Sequence, residues 1–313
     1  MLALPITVSA AEEKTQPDLG MWSWFQSAFI TDTARKDILD FCIREGISHI
    51  DQHISIKKRK KSYFIENAEE LKKLIIDAGK RNISVNVLRG NKHMFFEPLH
   101  SKVLEQLATV IEFDQQLPKK VHLSGIKYDV EPYLTTQWKA GWEKRKKVIQ
   151  DYLVLLQKAK ELLDKDAPHL ELSVDVPFWW DNPEFAILFN GQENLFTHHI
   201  QDLTDWIAIM SYRTTSREVL KLVKTELTYA KQTGRSNSIA PGLETAEVHG
   251  EEYWTSFWET PPEKFRKTLE KLRQELSGNP AVRCIMIHHY KSLVNYLEQT
   301  PATIKRKVLT QEK

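Results

Sequence analysis

The chain has 313 residues, of which 41% are hydrophobic and 27% are charged, a composition typical of a globular protein with a large core. Its 44 lysine and arginine residues nearly balance its 42 aspartate and glutamate residues, so the net charge is only +2. This balance argues against a protein whose overall charge serves to bind nucleic acid or an anionic membrane, and it favours a neutral or weakly charged substrate.

The first eleven residues form a short apolar stretch that resembles the end of a secretory signal peptide, with Val8 and Ala10 as the small residues before a cleavage point. No positively charged segment precedes this stretch, so the alternative is a flexible apolar tail. We therefore predict a secreted or periplasmic protein in which residues 1–15 are a signal remnant or a tail. No later run is long and apolar enough to predict a transmembrane segment.

The rest of the chain alternates short β-branched or aromatic runs with longer amphipathic segments, a pattern typical of repeated βα units and a parallel sheet. Eight such units in one chain predict closure into a single-domain (β/α)8 TIM barrel over residues 16–313. The first strand lacks a glycine-rich phosphate loop after it, so we predict no dinucleotide cofactor. The predicted strands are 19–25, 47–53, 83–88, 122–130, 170–176, 206–211, 238–243 and 283–288, and the clearest helices are 32–44, 65–78, 101–113, 137–163, 217–232 and 262–276.

Three other features have simpler interpretations. Cys42 and Cys284 are predicted to be buried free thiols, because two distant cysteines do not make a disulfide framework. The basic run 57–61 predicts a solvated loop, although it could also attract an anionic polymer or surface. The segment 244–261 predicts an enlarged loop after the seventh strand, on the face where barrel active sites lie.

Asp129 and Glu131 are the strongest candidates for catalysis. They are two residues apart at the end of the fourth predicted strand, so both side chains should point into the barrel mouth. Cleavage of a glycosidic bond needs a carboxylic acid that gives a proton to the leaving oxygen, and a second carboxylate nearby raises the pKa of the first. A purely structural role, as a helix cap or as the partner of a buried cation, is the alternative.

The segment 124–131, Ser-Gly-Ile-Lys-Tyr-Asp-Val-Glu, resembles the strand-four signature of glycoside hydrolase family 18, the chitinase group, which reads Asp-Gly-x-Asp-x-Asp-x-Glu. The resemblance implies that Glu131 is the proton donor and that Asp129 positions the N-acetyl group of the substrate, whose oxygen attacks the anomeric carbon. Residues 209–212, Ile-Met-Ser-Tyr, are similar to the family's Met-x-Tyr-Asp, which implies that Tyr212 contacts the acetamido group.

The sequence departs from the family pattern at several positions. Ser124 and Lys127 replace the first two aspartates of the signature, and Arg213 stands where an aspartate follows the tyrosine. Lys127 lies on the same face as Asp129, so we expect it to pair with Asp129 and to favour its ionised form. The sequence therefore favours a glycosidase in general over an enzyme that cleaves N-acetyl sugars by substrate-assisted catalysis.

Other strand ends and nearby loops supply candidate contacts for an oligosaccharide or polysaccharide. Aromatic rings stack on the apolar faces of sugars, and neighbouring polar groups bind the hydroxyls. Core packing and structural hydrogen bonds are the alternatives for each residue. The predicted substrate-binding set is Trp22, Trp24, Asp51, Asp175, Trp179, Trp180, Arg213, Glu244 and His288.

Three functions remain open at this point: a glycoside hydrolase, a carbohydrate-binding barrel that has lost turnover, and a metal-dependent hydrolase. The last would use Asp51, His53, His288 and His289, but their spacing matches no familiar metal motif. We therefore assign no metal and no cofactor. The sugar, the linkage, the stereochemical outcome and the oligomeric state are left undetermined by the sequence.

Overall fold

The computed structural model describes residues 16–248 and 252–298 and contains a closed barrel of eight parallel strands. Each strand pairs with the strands that precede and follow it along the chain, and the eighth closes against the first. The predicted (β/α)8 fold is therefore confirmed, whereas the predicted signal segment lies outside the described residues. The strands are β1 (Asp18–Ser23), β2 (Ile47–His53), β3 (Ser84–Gly90), β4 (Gly125–Asp129), β5 (Glu171–Pro177), β6 (Trp206–Met210), β7 (Ile239–Glu244) and β8 (Cys284–His288).

Helices fill the intervals between the strands. No helix in the described ranges is long and apolar enough to cross a membrane. The helices are α1 (Asp32–Glu45), α2 (Ala68–Gly79), α3 (His100–Gln115), α4 (Thr136–Lys139), α5 (Trp142–Asp166), α6 (Phe196–Leu203), α7 (Ser216–Leu222), α8 (Lys224–Gln232), α9 (Pro262–Leu276) and α10 (Tyr290–Leu297).

Local sequence explains where several helices begin and end. α1 starts because the Thr31 side chain accepts a hydrogen bond from the backbone N–H of Ala34, and it stops at Gly46, whose φ of 70° suits glycine. The single helix predicted over 137–163 is instead two helices, α4 and α5. The break is at Gly141, whose φ of 102° is outside the helical range.

Within the described residues, two antiparallel hairpins interrupt the alternation of strands and helices. The first joins Ile56–Arg59 to Ser62–Ile65, and the second joins Ile187–Phe189 to Gln192–Asn194. The basic run 57–61 was predicted to be a solvated loop. It is exposed, but it forms a strand and turn of the first hairpin, and Ile65 belongs to this hairpin rather than to α2.

The strands are buried on both faces, as expected where helices cover the outside of a barrel and side chains fill its interior. Cys42 and Cys284 are buried free thiols, as predicted. The apolar part of the barrel interior is a separate cluster of buried residues with aromatic, aliphatic and sulfur side chains: Trp22, Leu88, Trp206, Ala208, Ala240, Cys284 and Met286. The barrel interior is therefore a packed core, and its carboxyl-terminal end is the place for a site.

Candidate functional site

Asp129 and Glu131 lie at the carboxyl-terminal end of the barrel. Asp129 is the last residue of β4, and Glu131 immediately precedes a short 3-10 turn, Pro132–Leu134. Both residues are partly exposed. In the neighbouring strand, Gly90 pairs with Asp129, and a β-carbon there would lie 3.1 Å from the Asp129 carbonyl oxygen and 3.4 Å from the Trp24 ring. Glycine at this position keeps space beside Asp129 open.

Asp129 is the carboxyl group at the mouth whose protonation the surroundings alter most clearly. Its Oδ1 is buried and has no hydrogen-bond partner among the described residues. Burial, together with the nearby charges of Asp175 and Glu131, raises the pKa of Asp129 well above its usual value, against the opposing effect of Lys127. Lys127 favours the ionised form of Asp129, as predicted, but burial and the two neighbouring carboxylates outweigh it. Asp129 therefore keeps a proton to higher pH than an exposed aspartate does.

Lys127 pairs with other acids, deeper in the barrel. Its Nζ lies 3.1 Å from Oδ1 of Asp175 and 3.3 Å from Oδ2 of Asp51, and it also lies 3.7 Å from the centre of the Trp206 ring. The ion pairs of the described residues include none between Lys127 and Asp129, which corrects the sequence-based expectation. Lys127 therefore compensates the charges of these two buried acids below the mouth.

Asp51 and Asp175 are the two acids that Lys127 joins. Burial opposes the ionisation of Asp51, but the charges of Lys127 and His49 prevail and lower the pKa of Asp51. His49 Nε2 lies 2.8 Å from Asp51 Oδ1. Burial dominates at Asp175 and raises its pKa to about 6, although Lys127 acts in the opposite direction.

Three members of the predicted substrate-binding set are too deeply buried to contact a sugar directly. Trp22, Asp51 and Asp175 are 1%, 0% and 2% exposed. Trp22 Nε1 donates a hydrogen bond to Asp175 Oδ2 at 3.0 Å. These three side chains therefore cannot contact a sugar directly in this structure. They pack below the residues of the mouth.

Glu131 is held by a residue that the sequence analysis missed. The hydroxyl of Tyr133 donates a short hydrogen bond to Glu131 Oε1. The Tyr133 ring lies edge-on to Trp179, with the ring centres 5.3 Å apart. The spacing Glu-x-Tyr was visible in the sequence, but nothing in it indicated that the chain turns back so that the tyrosine reaches the acid.

The two adjacent tryptophans after β5 have different environments. Trp179 is partly exposed, whereas Trp180 is fully buried and lies 4.6 Å, between ring centres, from Phe196 of α6. The predicted sugar contact for Trp180 is therefore contradicted by its burial in the outer core. Both belong to the 3-10 turn Phe178–Asp181, in which neighbouring side chains point in different directions.

Tyr212 lies one residue after Ser211, past the end of β6, and is partly exposed. A β-carbon on Gly242 would come within 3.2 Å of the Tyr212 ring, so glycine provides room for it. Burial and then the charges of Glu244, Asp175 and Asp129 raise the pKa of Tyr212 well above its usual value, which keeps its hydroxyl a neutral donor.

Arg213, predicted to bind substrate, is partly exposed and held locally. Its Nη1 donates a hydrogen bond to the carbonyl oxygen of Tyr212 at 2.7 Å, and its guanidinium lies 5.1 Å from the centre of the Phe178 ring. The arginine that replaces the family's aspartate thus packs at the edge of the mouth.

A chain of hydrogen bonds connects Trp24, His288 and Glu244 across β1, β8 and β7. Trp24 Nε1 donates to His288 Nε2 at 2.9 Å, so the imidazole proton must be on Nδ1, which lies 2.8 Å from Glu244 Oε2. Glu244 Oε1 accepts a hydrogen bond from the backbone N–H of Ala246 at 2.6 Å. This chain orients three of the predicted residues at the mouth.

The residues proposed for a metal-dependent hydrolase do not form a cluster among the described residues. Asp51 is buried below the mouth, His53 packs against Trp24, and His289 caps α10. Within the described ranges, three metal-capable side chains come together only at Asp114, His122 and His169, at the other end of the barrel.

Solved structures with the same fold include several enzymes that act on sugars. A chitinase from Bacteroides thetaiotaomicron has a TM-score of 0.53 at 13% identity, over 90% of this chain and 96% of the chitinase. A glycoside hydrolase family 18 N-acetylglucosaminidase from Paenibacillus barengoltzii has a TM-score of 0.53 at 11% identity, over 90% of this chain and 98% of the other.

The same barrel also resembles part of a larger enzyme of different specificity. A β-glucuronidase from Bacteroides uniformis has a TM-score of 0.56 at 13% identity, over 86% of this chain but only 30% of the glucuronidase. No protein-family model matches the chain, and no curated protein matches it in sequence. At these identities the comparisons establish the fold: this chain is a (β/α)8 barrel similar in architecture to the chitinases of glycoside hydrolase family 18.

Proposed function

We propose that the chain is a glycoside hydrolase that cleaves an oligosaccharide or polysaccharide, with Glu131 as the general acid. Asp129 is its partner, and Tyr212 donates a hydrogen bond to the reacting sugar. The observation that carries the proposal is the placement of two partly exposed acids, Asp129 and Glu131, at the carboxyl-terminal end of the barrel, where burial and then the charges of Asp175 and Glu131 raise the pKa of Asp129. Two carboxyl groups that influence each other's protonation can share the proton that glycosidic cleavage needs.

The surroundings of the pair support this assignment. The hydrogen bond from Tyr133 fixes one oxygen of Glu131. Asp129 has a buried oxygen without a partner, so its carboxyl group can turn towards a ligand without breaking a hydrogen bond at that atom. Trp24 and Trp179 are partly exposed aromatic rings suited to stacking on a sugar. Export of the enzyme, predicted from its first residues, is part of the proposal.

A carbohydrate-binding barrel without turnover is the second candidate, and the replacement at Lys127 favours it. Where the family signature has an aspartate, this chain has a lysine that is paired with Asp51 and Asp175. A lysine cannot share a proton with Asp129 as a carboxylic acid can. Asp129 and Glu131 would then lack a neighbouring carboxyl group that could take up a proton during turnover.

Hydrolysis and binding measured on the same samples separate the two candidates. The purified chain is incubated with a panel of N-acetylhexosamine oligosaccharides and neutral hexose polymers, and the release of reducing ends is followed. We expect release by the wild type, a loss of at least about a hundredfold in Glu131→Gln with binding retained, and normal release by the control Glu193→Gln, which alters an exposed residue. Binding without release by the wild type would instead support the second candidate.

A further inference from the structure

Asp114, His122 and His169 come together at the amino-terminal end of the barrel, opposite the mouth. Asp114 is close to the end of α3, His122 precedes β4 and His169 precedes β5. The three segments are distant in sequence, and the closing of the barrel brings them together. One potential ligand atom from each residue lies within 4.8 Å of the others.

The contacts within this cluster all meet at one carboxylate oxygen. Asp114 Oδ2 lies 3.2 Å from His122 Nδ1 and 2.7 Å from His169 Nε2. The rings of His122 and His169 are edge-on, with their centres 4.8 Å apart. Both imidazoles therefore point a nitrogen at the same small volume.

The side chain of Asp114 is already held in the orientation that a metal ligand needs. It is 1% exposed, and its other oxygen, Oδ1, accepts a hydrogen bond from the backbone N–H of Leu123 at 2.7 Å. Among the ion pairs of the described residues, the partners of Asp114 are these two histidines. A buried carboxylate is stabilised by a cation placed beside it, and imidazole nitrogens are suitable further ligands for such a cation. A hydrogen bond to the second oxygen is the usual way in which a protein orients such a ligand.

We propose that Asp114, His122 and His169 bind a divalent transition-metal ion, with Zn²⁺ as the best match. Two imidazole nitrogens and one carboxylate oxygen suit Zn²⁺, which takes such ligands at about 2.0–2.2 Å in a tetrahedral arrangement. The ligand atoms of that arrangement are about 3.3–3.5 Å apart, so the observed spacings require shifts of less than about 1.5 Å. The half-exposed histidines supply that movement and leave the fourth position to water.

This ion would act on stability and not on catalysis. It would tie the end of α3 to the segments that enter β4 and β5, whereas Asp129 and Glu131 lie at the opposite end of β4. The amino-terminal end of a (β/α)8 barrel serves stability, and a ligand that binds only the folded state raises the melting temperature. The inference therefore does not depend on the proposed function at the mouth.

Metal binding is tested on the tag-free, full-length chain after it has been stripped with EDTA. Titration calorimetry with Zn²⁺ is expected to give one site per chain, and the melting temperature is expected to rise with the concentration of Zn²⁺. Co²⁺ is expected to give the intense visible absorption of a four-coordinate site. His122→Gln and His169→Gln remove one ligand each at half-exposed positions, where folding should be preserved, and each is expected to weaken binding by at least about tenfold.

The matched control is His93→Gln, which alters an exposed histidine away from the cluster and is expected to bind Zn²⁺ as the wild type does. The proposal is overturned if the wild type does not bind Zn²⁺, or if both cluster variants bind it as tightly as the control. Either result would mean that the three side chains form a hydrogen-bonded cluster only.

Discussion

Lys127 and Asp175 form a buried ion pair at the centre of the barrel, with Nζ 3.1 Å from Oδ1. Both side chains are almost fully excluded from solvent, and Asp51 lies on the other side of the same lysine at 3.3 Å. One cation thus compensates two buried carboxylates directly below the mouth. A buried charge is tolerated only when it is paired, so the three residues depend on one another.

Replacing Lys127 should therefore destabilise the fold strongly. Lys127→Met keeps a long, unbranched side chain but leaves Asp51 and Asp175 without their cation. Removal of one partner from a buried ion pair typically costs about 3–5 kcal/mol, and we expect a loss of that size in the free energy of unfolding at neutral pH. Urea denaturation followed by circular dichroism measures it.

Lys36→Met is the control, because Lys36 pairs with Asp40 one turn away on the exposed surface of α1, with Nζ and Oδ2 2.6 Å apart. Such a pair contributes little to stability, because solvent screens the two exposed charges. If Lys127→Met and Lys36→Met lost similar amounts of stability, the charge of Lys127 would not be what stabilises the two buried carboxylates.

Protonation of Asp129 should be visible in the pH dependence of stability. Burial and neighbouring carboxylates raise its pKa, so the native chain keeps a proton that the unfolded chain loses near pH ~3.9. This contribution to stability is fully present below that value and is lost as the pH rises through the raised native pKa. Asparagine cannot titrate, so Asp129→Asn should become progressively more stable than the wild type as the pH rises through that window.

The measurement is a series of urea denaturation curves across the acid to neutral range, on wild type and variant in parallel. Asp175, with a pKa of about 6, titrates in the same range, and because its charge raises the pKa of Asp129, the comparison reports the two acids as an interacting pair. Asp37→Asn, the same substitution at an exposed position of α1, is the control for the loss of one carboxyl group. A difference between Asp129→Asn and the wild type that does not change with pH would contradict a raised pKa.

The fold could be predicted from periodicity, because each βα unit carries its own local signal. The predicted strand 47–53 and the predicted helix 262–276 have the observed bounds. The strand-end position of Asp129 also followed from local sequence, since side-chain direction along a strand repeats every two residues.

The partners of the site residues could not be predicted in this way. Lys127 was expected to pair with Asp129 on its own strand, but the closed barrel presents it with Asp51 and Asp175 from other strands. Trp180 was grouped with Trp179, but a 3-10 turn after β5 directs the two rings to different environments. Contacts across the barrel depend on closure and register, which one strand's sequence does not contain.

Gly125 should not tolerate even a methyl group. A β-carbon there would lie 2.2 Å from the carbonyl oxygen of Glu171, which is backbone of the adjacent strand and cannot move aside. Gly125→Ala should therefore cost about 3 kcal/mol or more in the free energy of unfolding.

Gly79→Ala is the matched substitution. Gly79 ends α2, and a β-carbon there meets no atom within 4 Å. Alanine should be neutral or stabilising there by up to about 1 kcal/mol. Equal thermal denaturation midpoints for the two variants would mean that β4 and β5 do not approach each other as closely as the structure has them.

Trp24 offers a test of whether the mouth binds sugar. Its ring is partly exposed and packs near His53 and His288, and its N–H donates to His288. If a saccharide stacks on this ring, Trp24→Ala should weaken the binding of the glycan by about tenfold, or ~1.4 kcal/mol, as measured by calorimetry on the Glu131→Gln background so that turnover does not interfere.

Two further variants separate stacking from its alternatives. Trp24→Phe keeps an aromatic face but removes the donor to His288, so affinity close to that of the parent would assign the effect to stacking, and affinity as low as that of Trp24→Ala would assign it to the orientation of His288. Trp142→Ala removes a more exposed tryptophan at the start of α5, and should leave affinity unchanged. Because Trp142 is the more exposed of the two rings and lies at the start of α5, equal losses of affinity in Trp24→Ala and Trp142→Ala would point to nonspecific adsorption of the glycan rather than to a site at the mouth.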